Sequence, residues 1–258
     1  MKGFSIKENK DQQIDKIEMA FSCVVLLLLW QIITLKIDND IYLPTINQVL
    51  YSMKEIIFSS RFYLDVIFSI SRCLFSFFTA IVAALTLGII SYINRFIRNF
   101  LKPITVITQS IPTMIVIVLS LIWFDKDNAP FIVGFAMVFP ILYESILDSI
   151  LSIDKGILEM ANLYKIGLNN KVLKIYVPSI KFRIISILGS TFSLALKVVI
   201  AGEVYGQPKY GMGTQIQLEK MNFNTPGIFA WIFIVVIISF LLEYCQKPLL
   251  RRGFIWKR

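Results

Sequence analysis

Long apolar runs alternate with short polar stretches along nearly the whole chain. About 20 apolar residues suffice for a helix to cross a bilayer. On that criterion six spans are predicted: Met19–Leu35, Leu74–Ile93, Pro103–Phe124, Pro130–Ile150, Arg183–Val204 and Gly227–Tyr244. Two polar stretches are long enough to hold structure of their own. The first, Ile41–Arg61, is too polar to span. Pro44 suits a first helical turn, and Val49, Leu50, Met53, Ile56 and Ile57 repeat at helical spacing, so an interfacial helix is expected there. The second, Ile153–Arg183, separates the fourth and fifth spans and carries six Lys/Arg. In it Asp154 is placed to cap a helix with Ile157, Met160, Ala161, Tyr164 and Leu168 on one face. Lys155, Glu159, Asn162 and Lys165 fall mostly on the other face. Gly167 is expected to end that helix in a left-handed conformation, and Asn169 or Asn170 to cap the next. Val172, Leu173, Ile175 and Tyr176 form the second apolar face. Pro178 is expected to break the chain before the fifth span, pushing Val177 towards extended geometry. The predicted order is helix, turn, helix, break.

Composition places this pattern in a class. Of 258 residues, 56% are hydrophobic and 17% charged, against about 25% charged in a soluble domain. The fold class is an all-α polytopic membrane protein with about six transmembrane helices. The net charge of +9 is explained by loop placement rather than by nucleic acid. With the N-terminus inside, inner segments hold 18 Lys/Arg and outer segments six. That bias puts both termini and the Ile153–Arg183 stretch in the cytoplasm. Histidine is absent, which removes the usual metal ligand and general base. Cys23, Cys73 and Cys245 are isolated, without metal or disulfide spacing. After the first span the chain reads Lys36-Ile37-Asp38-Asn39-Asp40, with no small-residue cleavage site, so a retained first helix is expected. No repeat or linker divides the chain. A single membrane domain over 1–258 is expected, with cytoplasmic tails at 1–18 and 247–258 and a cytoplasmic loop at 151–183. No Walker-type phosphate loop is present, so ATP chemistry is not expected in this chain.

Inside the spans, polar residues are the informative ones. Lys197 lies in the outer half of the fifth span, where a charge normally faces a cavity or a partner. Either it is a pathway counter-charge for an anion, or it pairs with Glu203, or its side chain snorkels outward. In the third span Pro112, within Gln109-Ser110-Ile111-Pro112-Thr113, removes a backbone hydrogen bond and is expected to kink the helix.

The Ile153–Arg183 stretch resembles the EAA loop of binding-protein-dependent ABC importer permeases, the nitrate/sulfonate/taurine type in particular. That family's pattern is Glu-Ala-Ala, three residues, Gly, nine residues, Ile-x-Leu-Pro. Glu159, Ala161, Ile175 and Pro178 fall in register, with Met160 for the first Ala, Val177 for the Leu and Lys165 at the Gly position. With Gly167 two residues later, a slightly longer docking helix is expected. Leu43-Pro44-Thr45 resembles a Leu-Pro-Ser-Pro element after the first span of the same subfamily. Glu203 with Gly211-Met212-Gly213 resembles an acidic residue followed by a Gly-rich external turn. The resemblance implies a type I importer permease that couples to an ATPase through Glu159, Ala161, Tyr164, Lys165, Gly167, Ile175 and Pro178. It also implies a translocation path near Lys197, Glu203 and Pro112. It further implies a second permease copy as a homodimer, two ATPase subunits that bind the ATP and Mg, an extracytoplasmic substrate-binding protein, and a bacterial inner-membrane location. The transported solute would be a sulfonate-, nitrate- or taurine-like anion or a vitamin precursor. The chain itself would not be an enzyme. A secondary transporter would instead show an inverted repeat and clustered mid-span acids, and an intramembrane enzyme would show paired acids or a reactive Cys or His site; neither pattern is evident.

Overall fold

Apolar residues at helical spacing, with few glycines and prolines to interrupt them, give helices throughout. The structure, a computed structural model, describes residues 2–37 and 39–253. Among these the regular elements are all helical. They are α1 (Lys2–Ile37), α2 (Ile46–Phe58), α3 (Phe62–Ile93), α4 (Arg95–Ser110), α5 (Thr113–Trp123) and α6 (Ala129–Leu151). Then come α7 (Lys155–Leu163), α8 (Leu168–Lys171), a π-helical turn (Val172–Tyr176), α9 (Val177–Gly206), α10 (Met212–Met221) and α11 (Thr225–Gly253). The chain divides into two compact units, one of residues up to Phe58 with Glu219–Ala230, the other of Ser59–Leu218 with Trp231 onwards.

In the first unit, Thr45 and Gln48 form a reciprocal cap at the start of α2. The Thr45 amide donates to Gln48 Oε1 at 2.8 Å, and the Gln48 amide donates to Thr45 Oγ1 at 3.3 Å. Trp30 Nε1 donates to the Pro44 carbonyl at 2.9 Å. A helix is therefore present where the interfacial one is expected, and its Val49 is buried.

In the second unit α3, α6 and α9 form the core. Val133, Val138, Leu142, Tyr143 and Ile146 of α6 pack there with Ala80 and Ala84 of α3 and Ala195 and Val199 of α9. Small residues let these helices approach closely: a Cβ on Gly134 would stand 2.7 Å from Ser76 Oγ.

The six expected spans become four long apolar helices, one bent pair and the shorter apolar stretch Phe21–Ile37. The third span is not a kinked rod. It breaks at Ile111–Pro112 into α4 and α5, which are bent by 108°. The second span starts at Phe62 rather than Leu74, because Asp65 and Arg72, which interrupt the hydropathy, are paired inside the protein.

The expected break at Pro178 is absent. Asn169–Gly206 runs as one long helical span, and Val177 is helical at φ −60, ψ −45 rather than extended. A proline ring in a straight α-helix collides with the carbonyl four residues back. Here the preceding turn is widened, with the Val177 amide reaching back to the Val172 carbonyl, and the chain passes Pro178 without breaking.

Candidate functional site

Two sites emerge at opposite ends of α9. The first is the polar loop between α6 and α9. Asp154 caps α7, its carboxylate accepting from the Gly156 amide at 2.6 Å. The helix then ends at Leu163, not beyond Lys165. Lys165 itself is left-handed at φ 49, while no glycine in the described chain has positive φ. The Ile166 amide donates to the Ala161 carbonyl at 2.9 Å and the Lys165 amide to the Asn162 carbonyl at 3.0 Å. These two bonds satisfy carbonyls that a helix end leaves open. The expectation that Gly167 ends the helix is thus corrected. The turn sits where the resemblance places its Gly, and a lysine occupies it at a strain of about 1–2 kcal/mol. Across the turn, Lys171 Nζ donates to Asn162 Oδ1 at 2.6 Å and ties α8 to α7.

Both faces of α7 are largely open, and Ala161 is the exception. Ala161 is 0% exposed, so its smallness serves the loop's own packing and it presents no surface to a partner. Leu163 and Tyr164 are 82% and 75% exposed, and Met160 and Ile157 are open beside the exposed Glu159. Ile175 and Pro178 are half-buried at the far end of the loop. There the Tyr176 hydroxyl meets that of Tyr92 at 3.1 Å, and Ser179 Oγ donates to the Ser149 carbonyl at 2.7 Å. The loop's exit is therefore held to α3 and α6.

The second site closes the other end of α9. Glu203 is 0% exposed. Its carboxylate accepts from Arg72 Nη1 at 2.8 Å, Ser69 Oγ at 2.6 Å and the Gly213 amide at 3.1 Å. Asp65, also buried, accepts from the Gly211 amide at 3.0 Å, and the Met212 amide donates to Ser69 Oγ at 2.8 Å. Arg72 further donates to the Tyr210 carbonyl at 2.7 Å and the Asp127 carbonyl at 3.1 Å. Both glycines are needed for this approach. A Cβ on Gly211 would lie 2.7 Å from the Glu203 carboxyl carbon, and one on Gly213 would strike the Ile200 carbonyl. The turn between α9 and α10 is thus stitched to α3 by two buried acids.

This enclosure bears on Glu203 and on one of the three alternatives for Lys197. Glu203 has no open face towards a path, and it pairs with Arg72 rather than with Lys197. Lys197 is exposed on α9, about 120° around the helix from Glu203. Neither ion pair in the described structure involves it. Pro112 stands at the start of α5, at the α4–α5 break. Close by, Gln109 Nε2 donates to Glu144 at 2.9 Å. Sequence reading passed over Asp65, Ser69, Arg72 and Glu144. The first three recur at helical spacing on one face of an otherwise apolar stretch, which is the signal that could have found them.

The sequence matches the family described as binding-protein-dependent transport system inner membrane component over residues 76–252. The chain belongs to this family. The match spans the loop and Glu203, and the protein is the membrane-spanning permease of an ABC importer, a multi-pass inner-membrane subunit. The putative aliphatic sulfonates transport permease protein SsuC of Bacillus subtilis is 23% identical over 90% of this chain and 85% of its own. The taurine transport system permease protein TauC of Escherichia coli is 22% identical over 90% and 86%. A chain of the inward-facing MetNI methionine ABC transporter superposes with a TM-score of 0.64 at 16% identity, covering 75% of this permease and 96% of that chain. This last likeness shows the fold, that of a type I importer permease.

Proposed function

We propose that this permease passes a small organic anion across the inner membrane and couples to a separate ATPase through the loop centred on α7. The observation that carries the coupling reading is the outward face of α7. Exposed Met160, Leu163 and Tyr164 beside Glu159 make an apolar patch with one acid at α7, and such patches mark binding surfaces. The route inward supports the same reading. Asn162–Lys171 joins α7 to α8, and α8 continues through the π turn into α9. A push on α7 would therefore reach α9 through the short turn at 164–167, which that bond bridges, and then along continuous helix. Two permease copies with two ATPases, and a binding protein outside, complete the assembly. Rigid-body rocking of paired spans would then alternate access.

The sulfonate-type substrate rests on the names of the two relatives, and on Lys197 as an exposed cation in the second half of α9. Both termini are assigned to the cytoplasm.

The coupling reading is tested at the surface that α7 exposes, not at the buried Ala161. Glu159→Lys and Leu163→Asp, made separately, should leave membrane abundance near wild type and sharply reduce co-purification of the ATPase. If both variants recruit ATPase and transport normally, α7 is a solvated surface helix and the reading fails.

A further inference from the structure

The bend between α4 and α5 leaves α4 as a separate helix with its own two faces. One face is apolar and exposed, with Phe96, Phe100, Ile104 and Ile107, and the Phe96 and Phe100 rings stack at 6.5 Å. The other face carries Arg95, Arg98 and Lys102. These three line a cavity of about 460 Å³ against α6, whose Glu144 and Asp148 lie on the opposite wall. Neither ion pair in the described structure involves any of the three cations. Glu144 is already engaged by Gln109 at 2.9 Å. Three cations face two carboxylates, so the cavity carries one net positive charge with open volume at the loop end of α6.

We propose that this cavity binds the phosphate headgroup of an anionic phospholipid, such as phosphatidylglycerol, whose acyl chains lie along the Phe96/Phe100 face. Loop-charge bias alone would scatter cations over the loop. Here three converge on one cavity, on a helix whose reverse face is apolar, and that geometry matches a lipid with its phosphate at the interface and its tails in hydrocarbon. The leaflet rests on the orientation given under Proposed function; binding itself does not.

The test uses the full-length permease purified in micelles, where sidedness plays no part, so a wrong orientation and a wrong ligand give different results. Retention of phosphatidylglycerol and phosphatidylcholine is compared by native mass spectrometry. Wild type should retain phosphatidylglycerol preferentially. Removing one cation near a headgroup weakens binding about fivefold, so Arg98→Gln with Lys102→Gln should weaken it about thirtyfold. Arg98→Lys should retain binding, which guards against a folding artefact. Lys54→Gln with Lys126→Gln removes the same net charge elsewhere and should change nothing. Equal retention of both lipids, equal loss in the Lys54/Lys126 variant, or displacement of the lipid by inorganic phosphate would each overturn the proposal. The last result would assign the cavity to a free anion.

Discussion

At the scale of single residues, two positions carry opposite lessons about charge and strain. Glu203 and Arg72 are a buried pair, and both are also hydrogen-bonded to backbone or hydroxyl groups. Glu203→Gln would leave the guanidinium without its buried counter-charge, at about 3–5 kcal/mol. The expected outcome is a large drop in the thermal midpoint of the purified protein. Adding Arg72→Met to Glu203→Gln should recover part of that loss, because the unpaired charge goes with it. If the double variant is less stable than the single one, the pair is not the source of the effect. Lys165 makes the reverse case. It occupies a left-handed position that glycine adopts without a Cβ penalty. Lys165→Gly should therefore relieve strain of about 1 kcal/mol and raise the midpoint by about 2–4 °C. An unchanged or lowered midpoint would mean that the Lys165 side chain makes a compensating contact.

At the scale of elements, the sequence was most legible where length and hydropathy agree. The apolar run predicts Pro130–Ile150, and the helix spans Ala129–Leu151. The helix after Pro44 was read from its stripe and is found as Ile46–Phe58. The misreadings have particular physical causes. Hydropathy treats Asp65 and Arg72 as terminators, but a charge satisfied by Glu203 or by the Gly211 amide can lie inside a span, so α3 starts well before Leu74. Pro112 signals a weak point, yet no local pattern sets the direction of the chain after it, and the 108° bend depends on what α4 and α5 pack against. Pro178 was read as a stop by a local rule, and a widened turn removed the clash on which that rule rests. In the α7 loop, the spacing of Glu159 and Ala161 located the element correctly. The same spacing could not show that Ala161 faces inward while Leu163 and Tyr164 face out.

At the scale of the whole molecule, orientation decides whether the two ends of α9 can do what is proposed for them. The excess of Lys/Arg in the segments assigned to the inside, 18 against six, supports the proposed placement of α7 in the cytoplasm by the loop-charge rule. That placement is what an ATPase partner requires. The same proposed topology would put the Gly211–Gly213 turn outside, away from ATP. Cysteine labelling tests both assignments at once. Cys23 and Cys245 are exposed and need replacement by serine, while Cys73 is buried and can stay. In that background, cysteines replacing Lys54 and Lys209 should react with an impermeant maleimide on intact cells. Cysteines replacing the exposed Lys155 and Lys174 should react only after permeabilisation. External labelling at Lys155 and Lys174 would put α7 in the wrong compartment for any ATPase. Its apolar face would then need another partner, even though the fold and the family membership would stand unchanged.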